Sequence, residues 1–382
     1  MSVGIVEDAV RQRYSAAAEA SEAALCCPVE YDPRYLEMIP DEIIEKDYGC
    51  GDPSQHLRPG DTVLDLGSGG GKICYIATQV VCAEGRVIGV DMNDDMLELA
   101  RRYQGHMAAE LGYANVEFHK AKIQDLALDR DHLDQWLRQH PVEDETSLRV
   151  LEDHMAEQRL SAPLIADESI DVVVSNCVLN LVSDDDKRQL FREIHRVLKR
   201  GGRVAISDIV ADESVPAHLK NDPVLWSGCV SGAMQEMEFV EAFEAAGFYG
   251  IEIAKRDAEP WQTVEGIEFR SVTVVAYKGK EGECWDHGEA LIYKGPFKEV
   301  ADDDGHRFRR GQRVAVCRKI YDIFSRPPYD QYFDQIEPLE AIADPPPFPC
   351  TGETFLRDPR QTKGQDYDLT TEVNSCLPGE CC

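Results

Sequence analysis

The chain has 382 residues, of which 43% are hydrophobic and 8% aromatic, so it is long enough for about two globular domains. Its net charge of −31 argues against nucleic acid as a partner, because phosphates would be repelled. No apolar run reaches the roughly 18 residues that span a bilayer, and the N-terminus lacks the apolar stretch of a signal peptide. We therefore expect a cytoplasmic monomer without a membrane partner.

Short apolar strands alternate with amphipathic helices through the first two thirds of the chain. Strands are predicted at 62–66, 86–90, 116–119, 170–175 and 203–208, and helices at 72–81, 94–107, 185–198 and 240–246. This alternation is typical of an α/β fold with a doubly wound, mostly parallel sheet.

Changes in composition suggest four regions and one insertion. These are an N-terminal helical segment (1–60), an α/β domain (61–255) with a charged helical insertion at about 124–166, a smaller C-terminal α+β domain (256–343) and a Pro-rich, then polar tail (344–382). Strands predicted at 257–277 and 289–293 are assigned to the smaller domain, and the tail is expected to be disordered.

A glycine-rich turn follows the first strand and precedes a helix. Gly67, Gly69 and Gly71 allow the backbone to turn tightly and to approach a ligand at the sheet edge where α/β folds bind ligands. The next strand ends in Asp91, which can accept hydrogen bonds from ribose hydroxyls. A glycine-rich turn without a ligand is the alternative, and the position of Asp91 argues against it.

The acid before the glycines separates two nucleotide-binding classes, because a dinucleotide fold usually has none there. Asp65-x-Gly-x-Gly-x-Gly instead resembles the Rossmann-like class I methyltransferases, in which this turn faces the amino-acid end of S-adenosylmethionine. The resemblance implies a cofactor site that comprises Asp65, Gly67, Ser68, Gly69, Gly71, Asp91, Met92, Ile123 and Asn176. Ile123 is expected to flank the adenine.

Three of the thirteen cysteines follow strands at the predicted ligand-binding edge, namely Cys74, Cys177 and Cys229. A single cysteine usually packs as a small hydrophobic residue. Three thiolates together select a soft ion and leave its lone pair free to attack a methyl group. Cys74 begins a helix, a position that favours a thiolate.

Several motifs then point to one family. They are Cys26-Cys27, Tyr48-Gly49-Cys50-Gly51, Asp65-Leu66-Gly67-Ser68-Gly69, Cys74-Tyr75, Ser175-Asn176-Cys177-Val178-Leu179-Asn180-Leu181, Asp222-Pro223, Cys229 and Gly232-Ala233. Together they resemble the arsenite S-adenosylmethionine methyltransferases over roughly residues 20–340. The resemblance implies methylation of arsenite and then methylarsenite, as arsenic detoxification.

The same resemblance implies roles for four cysteines. Cys177 and Cys229 would bind arsenic(III) at every step, and Cys74 would be the third ligand of the inorganic ion. Cys50 would form a disulfide with Cys74 during turnover, reset by a thioredoxin or glutathione system. The arsenic lone pair carries no proton, so no general base is needed.

Some residues depart from the family pattern or stay outside it. Gly70-Gly71-Lys72-Ile73 stands where such enzymes more often carry an Arg-Asp pair before the cysteine. No zinc site is predicted, and Cys82, Cys284, Cys317 and Cys350 are expected to have no ligand role.

Two other functions stay open at this point. One is a methyltransferase for another small-molecule acceptor, with Asp208 or Glu236 as the general base. The other is a thiol protein that sequesters metalloids without catalysis, which the intact cofactor turn argues against.

Overall fold

A computed structural model describes residues 3–20, 22 and 29–363. The predicted motif Cys26-Cys27 and the tail cysteines Cys376, Cys381 and Cys382 lie outside these residues. The chain divides into two compact units between Gly279 and Lys280. Within the described ranges, no helix is long and apolar enough to cross a lipid bilayer.

The first unit contains twelve α-helices and nine strands in its described part. The helices are α1 (Val3–Glu19), α2 (Pro33–Leu36), α3 (Asp41–Glu45), α4 (Lys72–Val81), α5 (Asp94–Arg102), α6 (Gln104–Leu111), α7 (Arg130–Gln139), α8 (Glu145–Ser161), α9 (Asp184–Val197), α10 (Ala217–Lys220), α11 (Pro223–Ser227) and α12 (Glu236–Ala245). The strands are β1 (Thr62–Leu66), β2 (Arg86–Asp91), β3 (Val116–Lys120), β4 (Ile170–Asn176), β5 (Leu198–Ala211), β6 (Met234–Gln235), β7 (Tyr249–Arg256), β8 (Gln262–Val264) and β9 (Ile267–Tyr277).

The main sheet has the order β3-β2-β1-β4-β5-β9-β7, with β6 paired to β5 and β8 to β9. The neighbours from β3 to β5 are parallel, whereas β9 is antiparallel to both β5 and β7. Leu66 at the end of β1 pairs with Val90 on one side and Ser175 on the other. The strand order reverses at this point, which opens a crevice at the carboxyl ends of the strands. The predicted doubly wound α/β sheet is confirmed.

The central strands are apolar on both faces because helices cover both sides of the sheet. Val63 packs in a buried cluster with α4 and α5, and the next residue, Leu64, packs in a second cluster with α9 and α12. Side chains alternate between the faces of a strand, so one continuous apolar run fills both layers of the core. The predicted insertion holds α7 and α8, between β3 and β4.

The second unit contains antiparallel strands and two short α-helices in its described part. Its elements are β10 (Ala290–Tyr293), β11 (Glu299–Ala301), β12 (Arg307–Arg309), β13 (Arg313–Ala315), α13 (Arg318–Phe324), β14 (Phe333–Ile336) and α14 (Pro359–Lys363). Strands β13, β10 and β14 form one antiparallel sheet, and β11 pairs with β12.

Two predicted regions differ from the structure. The segment 257–277 was assigned to the smaller domain, but its strand β9 lies inside the main sheet and the first unit runs to Gly279. Nearly every residue of β9 is buried, as expected for an internal strand rather than a domain boundary. Residues 344–363 are not a disordered tail, because the Ala315 backbone N–H donates to the Phe355 carbonyl over 2.8 Å. The rest of the predicted tail, 364–382, lies outside the described residues.

Candidate functional site

The glycine turn after β1 needs its glycines for space and for backbone conformation. Gly67, Gly69 and Gly71 have φ angles of 69°, 50° and 91°, in the left-handed region that favours glycine. A Cβ on Gly67 would lie 2.4 Å from Val178 Cγ1, whereas a Cβ on Gly69 would meet no atom within 4 Å. The turn is therefore packed tightly at one side and open at Gly69.

A cavity of about 290 Å³ lies against this turn. Its wall includes Asp65, Gly67, Ser68, Gly69, Asp91, Met92, Ile123 and Asn176, which were predicted for the cofactor. Gly71, also predicted, instead precedes the first residue of α4 as its N-cap. One cavity therefore gathers eight of the nine predicted cofactor residues.

The polar groups of the cavity leave room for a ligand. The Asp91 carboxylate accepts the Gly69 N–H over 2.9 Å and the Asn93 N–H over 2.8 Å, while burial raises its pKa. The buried Ser68 hydroxyl has no hydrogen-bond partner among the described residues. An orphaned buried hydroxyl costs free energy unless a ligand or water satisfies it, so the site fits an adenosyl amino-acid ligand.

Asp65 and Cys74 form a buried pair beneath the turn. The Cys74 thiol donates to Asp65 Oδ2 over 3.2 Å, and both side chains are almost fully buried. Burial raises the pKa of Asp65 to about 7, and burial together with the Asp65 carboxylate raises the pKa of Cys74 well above its usual value. Burial and the neighbouring carboxyl therefore oppose the thiolate that was expected at this helix start.

Three other cysteines form a separate cluster at the same edge of the sheet. The sulfurs of Cys50 and Cys177 and the Asp208 carboxylate lie within 4.8 Å of one another. Cys229 adjoins Cys177, since its thiol lies 3.4 Å from the Cys177 carbonyl oxygen and is hydrogen-bonded to the Cys177 thiol, but its sulfur does not join the three groups within that distance. The structure thus joins Cys177 and Cys229, as predicted, but with Cys50 in place of Cys74.

Cys74 packs elsewhere. It belongs to the apolar cluster between α4 and the sheet, where a Cβ on Gly89 of β2 would lie 2.9 Å from its sulfur. Cys50, Cys177 and Cys229 share a different cluster. Cys177 also belongs to the wall of the cavity, whereas Cys74 does not.

Two of the clustered cysteines have unusual backbones. Cys177 and Cys229 both have φ of 62°, which residues other than glycine, asparagine and aspartate seldom adopt. Such strain is retained where the surroundings impose it, and it concentrates at functional sites. The two residues predicted to hold the substrate at every step are therefore also strained ones.

Asn176 has a structural role that the sequence did not reveal. Its Oδ1 accepts the N–H groups of Cys50 and Gly51 over 2.9 and 3.1 Å, and its Nδ2 donates to the Gly51 carbonyl over 2.7 Å. A Cβ on Gly49 would lie 2.1 Å from Asn176 Nδ2, so only glycine permits this approach. Asn176 therefore places Cys50 beside Cys177 while it lines the cavity.

Helix α1 covers the site, and the sequence predicted the helix without this role. Glu7, Asp8, Arg11 and Tyr14 line the cavity. The buried Tyr14 hydroxyl is hydrogen-bonded to the Cys229 thiol, and burial raises the pKa of that tyrosine. One helix thus contacts both the cavity and the thiol cluster.

The glycine turn, the acid that ends β2 and the cavity at the reversal of strand order define a class I S-adenosylmethionine-dependent methyltransferase. A family model described as a methyltransferase domain matches residues 57–161 and 151–247. A model described as a domain of unknown function matches residues 280–367.

Similar proteins identify the family. An arsenite methyltransferase from Aquipseudomonas alcaligenes is 31% identical over an alignment of 331 residues, and the match covers 82% of this chain and 85% of that protein. Another, from Mus musculus, is 28% identical over 85% of this chain and 80% of its own length. The crystal structure of an arsenic(III) S-adenosylmethionine methyltransferase from Chlamydomonas reinhardtii is 28% identical, with a TM-score of 0.52 over 85% of this chain and 99% of that one. The chain belongs to the arsenite methyltransferase family.

Proposed function

We propose that this enzyme transfers the methyl group of S-adenosylmethionine to trivalent arsenic held by Cys177 and Cys229. One observation carries the proposal: Cys177 belongs both to the wall of the cofactor cavity and to the thiol cluster. Soft thiolates select a thiophilic ion, and their position sets its lone pair against the methyl group. Arsenite is methylated first and methylarsenite second.

The residues of the cavity divide the work of holding the methyl donor. Asp65 faces the amino-acid end, Asp91 accepts from the ribose hydroxyls, and Ile123 flanks the adenine, in keeping with their places in the wall. The bound cofactor supplies an electrophilic methyl group. The chain contributes position and exclusion of water, for which α1 is the cover.

We propose Cys50 as the third arsenic ligand, because its sulfur lies within 4.8 Å of the Cys177 sulfur and it packs in the same cluster as Cys177 and Cys229. In the cofactor-free protein, the hydrogen bond with Cys229 lowers the pKa of Cys177, whereas the hydrogen bond with Cys50 and burial raise it. The second effect is larger, so the pKa of Cys177 is above its usual value. The cysteines therefore enter the reaction as thiols. Arsenous acid accepts their protons. For each arsenic–sulfur bond that forms, one arsenic–oxygen bond breaks, and the hydroxyl group leaves as water with the thiol proton.

The third ligand implied by the family resemblance was Cys74, with a Cys50–Cys74 disulfide during turnover. Both stay predictions, and each requires the Cys74 thiol to leave Asp65. Methyl transfer oxidises arsenic(III) to arsenic(V), a loss of two electrons. Two thiols reduce it again to arsenic(III) when they form a disulfide. We propose that glutathione or a thioredoxin then reduces that disulfide, in a cytoplasm that keeps thiols reduced and where the monomeric enzyme detoxifies arsenic.

Another small-molecule acceptor is the alternative, and it would need a general base. Asp208 lies at the thiol cluster, where burial raises its pKa to about 6, so it is the better placed of the two candidates. Glu236 instead pairs with Arg256 over 2.7 Å and does not line the cavity. The buried thiols around Asp208 favour a soft ion over a protic acceptor.

The test is incubation of the full chain with arsenite, S-adenosylmethionine and glutathione, followed by separation of the arsenic species. We expect methylated arsenic from the native chain and from Cys82→Ser, whose exposed thiol lies outside both clusters. Cys177→Ser should lose methylation of both arsenite and methylarsenite. A chain that binds S-adenosylmethionine but yields no methylated arsenic would contradict the proposal.

The ligand set has its own test, X-ray absorption at bound arsenic. The measurement uses a chain with serine in place of Cys284, Cys317 and Cys350, whose thiols would otherwise contribute. We expect three sulfurs in this chain and with Cys74→Ser added, but two with Cys50→Ser added. Loss of a sulfur in Cys74→Ser alone would show that the family resemblance, rather than this structure, gives the ligand set. Cys74→Ser is also expected to retain methylation of methylarsenite.

A further inference from the structure

The second unit contains another group of thiols, which the proposed reaction does not use. The sulfurs of Cys284, Cys317 and Cys350 lie within 4.8 Å of one another. Cys317 is fully buried, Cys284 is half-buried and Cys350 is exposed. The group therefore has a buried base and an open side through which an ion can enter.

Backbone hydrogen bonds join the three segments that carry these cysteines. The Phe348 N–H donates to the Cys284 carbonyl over 2.8 Å, and the Arg318 N–H donates to the Trp285 carbonyl over 2.9 Å. The Arg357 guanidinium holds both carboxylate oxygens of Asp286, over 2.6 and 3.2 Å. The thiols are thus brought together by a paired framework, as preorganised binding sites require.

The three thiols differ in how readily they ionise. Burial raises the pKa of Cys317 and Cys350, whereas the partial burial of Cys284 is outweighed by hydrogen bonds with Cys350 and Cys317, so its pKa is lowered. The Lys319 ammonium interacts with the Cys284 thiol, and the Ile320 backbone N–H faces the Cys317 sulfur. No histidine or carboxylate of the described chain joins the three sulfurs within the same distance. The group therefore offers three soft ligands and, in this part of the chain, no fourth.

We propose that Cys284, Cys317 and Cys350 form a second binding site, for a soft thiophilic ion held by three thiolates, and that trivalent arsenic is its occupant. Structural zinc sites are closed by four ligands, whereas trivalent arsenic with three sulfurs is complete and keeps its lone pair. The choice of arsenic as occupant rests on the proposed function. The three-thiolate site itself does not.

Binding is a condensation without a change of oxidation state. Arsenous acid loses three hydroxyl groups, each thiol loses one proton, and three waters leave as three arsenic–sulfur bonds form. No oxidant or reductant is needed. The site binds arsenic and transfers no methyl group.

The test uses the full chain with serine in place of Cys26, Cys27, Cys50, Cys177, Cys229, Cys376, Cys381 and Cys382. This background lacks the proposed catalytic ligands and every cysteine outside the described residues. We expect native mass spectrometry to show one arsenic per chain, with a mass gain of one arsenic less three hydrogens. X-ray absorption should show three sulfurs at the arsenic.

Cys350→Ser in this background is the informative variant, because an exposed thiol can be removed with little risk to folding. It should lower arsenic affinity by a factor of about ten or more, because one of three sulfur ligands is lost. Cys82→Ser is the matched control and should leave the affinity unchanged. Retained binding of S-adenosylmethionine by both variants checks that the chain is folded.

Three results would overturn the proposal: no arsenic bound to the background chain, equal affinity in Cys350→Ser, or two sulfurs at the arsenic. Zinc that arsenite cannot displace would overturn the choice of arsenic. The methylation assay on the native chain is a separate measurement. Absence of methylated arsenic with this site still occupied would contradict only the proposed function.

Discussion

At the scale of single residues, the buried Asp65 carboxylate lowers the stability of the folded, cofactor-free chain. The carboxyl is buried near the end of β1, where it accepts a hydrogen bond from the Cys74 thiol. Burial raises its pKa to about 7, so the folded chain prefers the protonated form. The cofactor's ammonium group would reverse this preference, because an opposite charge favours the carboxylate.

Asp65→Asn tests this effect in the cofactor-free chain. A raised pKa in the folded state contributes stability at low pH that is lost as the pH rises toward about 7. Asparagine resembles the protonated acid, so the variant should exceed the native Tm at pH 8 more than at pH 5.5, by about 2–4 °C for each kcal/mol recovered. Calorimetry at both values gives the comparison, and binding of S-adenosylmethionine should weaken.

Asp171→Asn is the matched control with the opposite sign. Partial burial raises the pKa of Asp171, but the Lys199 ammonium and the Thr62 N–H outweigh it and lower the pKa. Its removal should therefore destabilise the chain at pH 8. A lower Tm at pH 8 for Asp65→Asn as well would contradict the account given for Asp65.

At the scale of secondary-structure elements, α1 connects the two halves of the site. The Arg13 guanidinium donates to the Val224 carbonyl over 3.0 Å and to the Ser227 hydroxyl over 3.1 Å, which ties α1 to α11. Asn93, the N-cap of α5, donates to the Arg11 carbonyl over 3.1 Å. The helix is thus held from both sides of the cavity that it covers.

Arg13→Ala should loosen this cover without altering the cavity wall, because Arg13 itself does not line it. We expect the Kd for S-adenosylmethionine to rise about fivefold, the equivalent of a lost hydrogen bond of about 1 kcal/mol. Calorimetric titration measures the change. Arg149→Ala, at an exposed position on α8, is the control and should bind as the native chain does.

If Arg13→Ala bound S-adenosylmethionine with unchanged affinity and the helix content were preserved, the contact between Arg13 and α11 would not be what holds α1 over the cavity. A larger loss in Arg149→Ala than in Arg13→Ala would point to a general effect of charge instead. The two variants remove the same charge from the chain.

At the scale of the whole molecule, every residue of the cofactor cavity lies between Glu7 and Ser183. All of them belong to the first unit, which includes β9 and ends at Gly279. Strand β9 pairs with nine residues of β5, from Arg203 to Ala211, and so forms part of the same core.

A fragment of residues 1–279 should therefore fold and bind S-adenosylmethionine with a Kd within about a factor of two of the full chain, or about 0.4 kcal/mol. A fragment that ends at residue 255, the boundary suggested by the sequence, removes β9 and should not fold. Thermal unfolding and cofactor titration of both fragments test this. Folding of the shorter fragment would contradict the placement of the boundary.

The local patterns of the sequence determined much of the fold and the donor site. The helix at 72–81 and the strand at 62–66 were predicted with the bounds that the structure shows, and Asp65 and Asp91 line the same cavity. Such features depend on the periodicity and turn chemistry of neighbouring residues. The sequence is weaker at strand ends, since β5 extends over 198–211 rather than 203–208.

Only the tertiary structure decided which thiols meet. Cys50 reaches Cys177 because Asn176 binds the turn that carries Cys50, while burial against Asp65 keeps Cys74 apart. The group of Cys284, Cys317 and Cys350 likewise joins segments far apart in the chain, and no short motif marks it. The sequence alone indicated a soft-ion chemistry from its cysteines, but contacts between distant segments arise from packing, which local patterns do not encode.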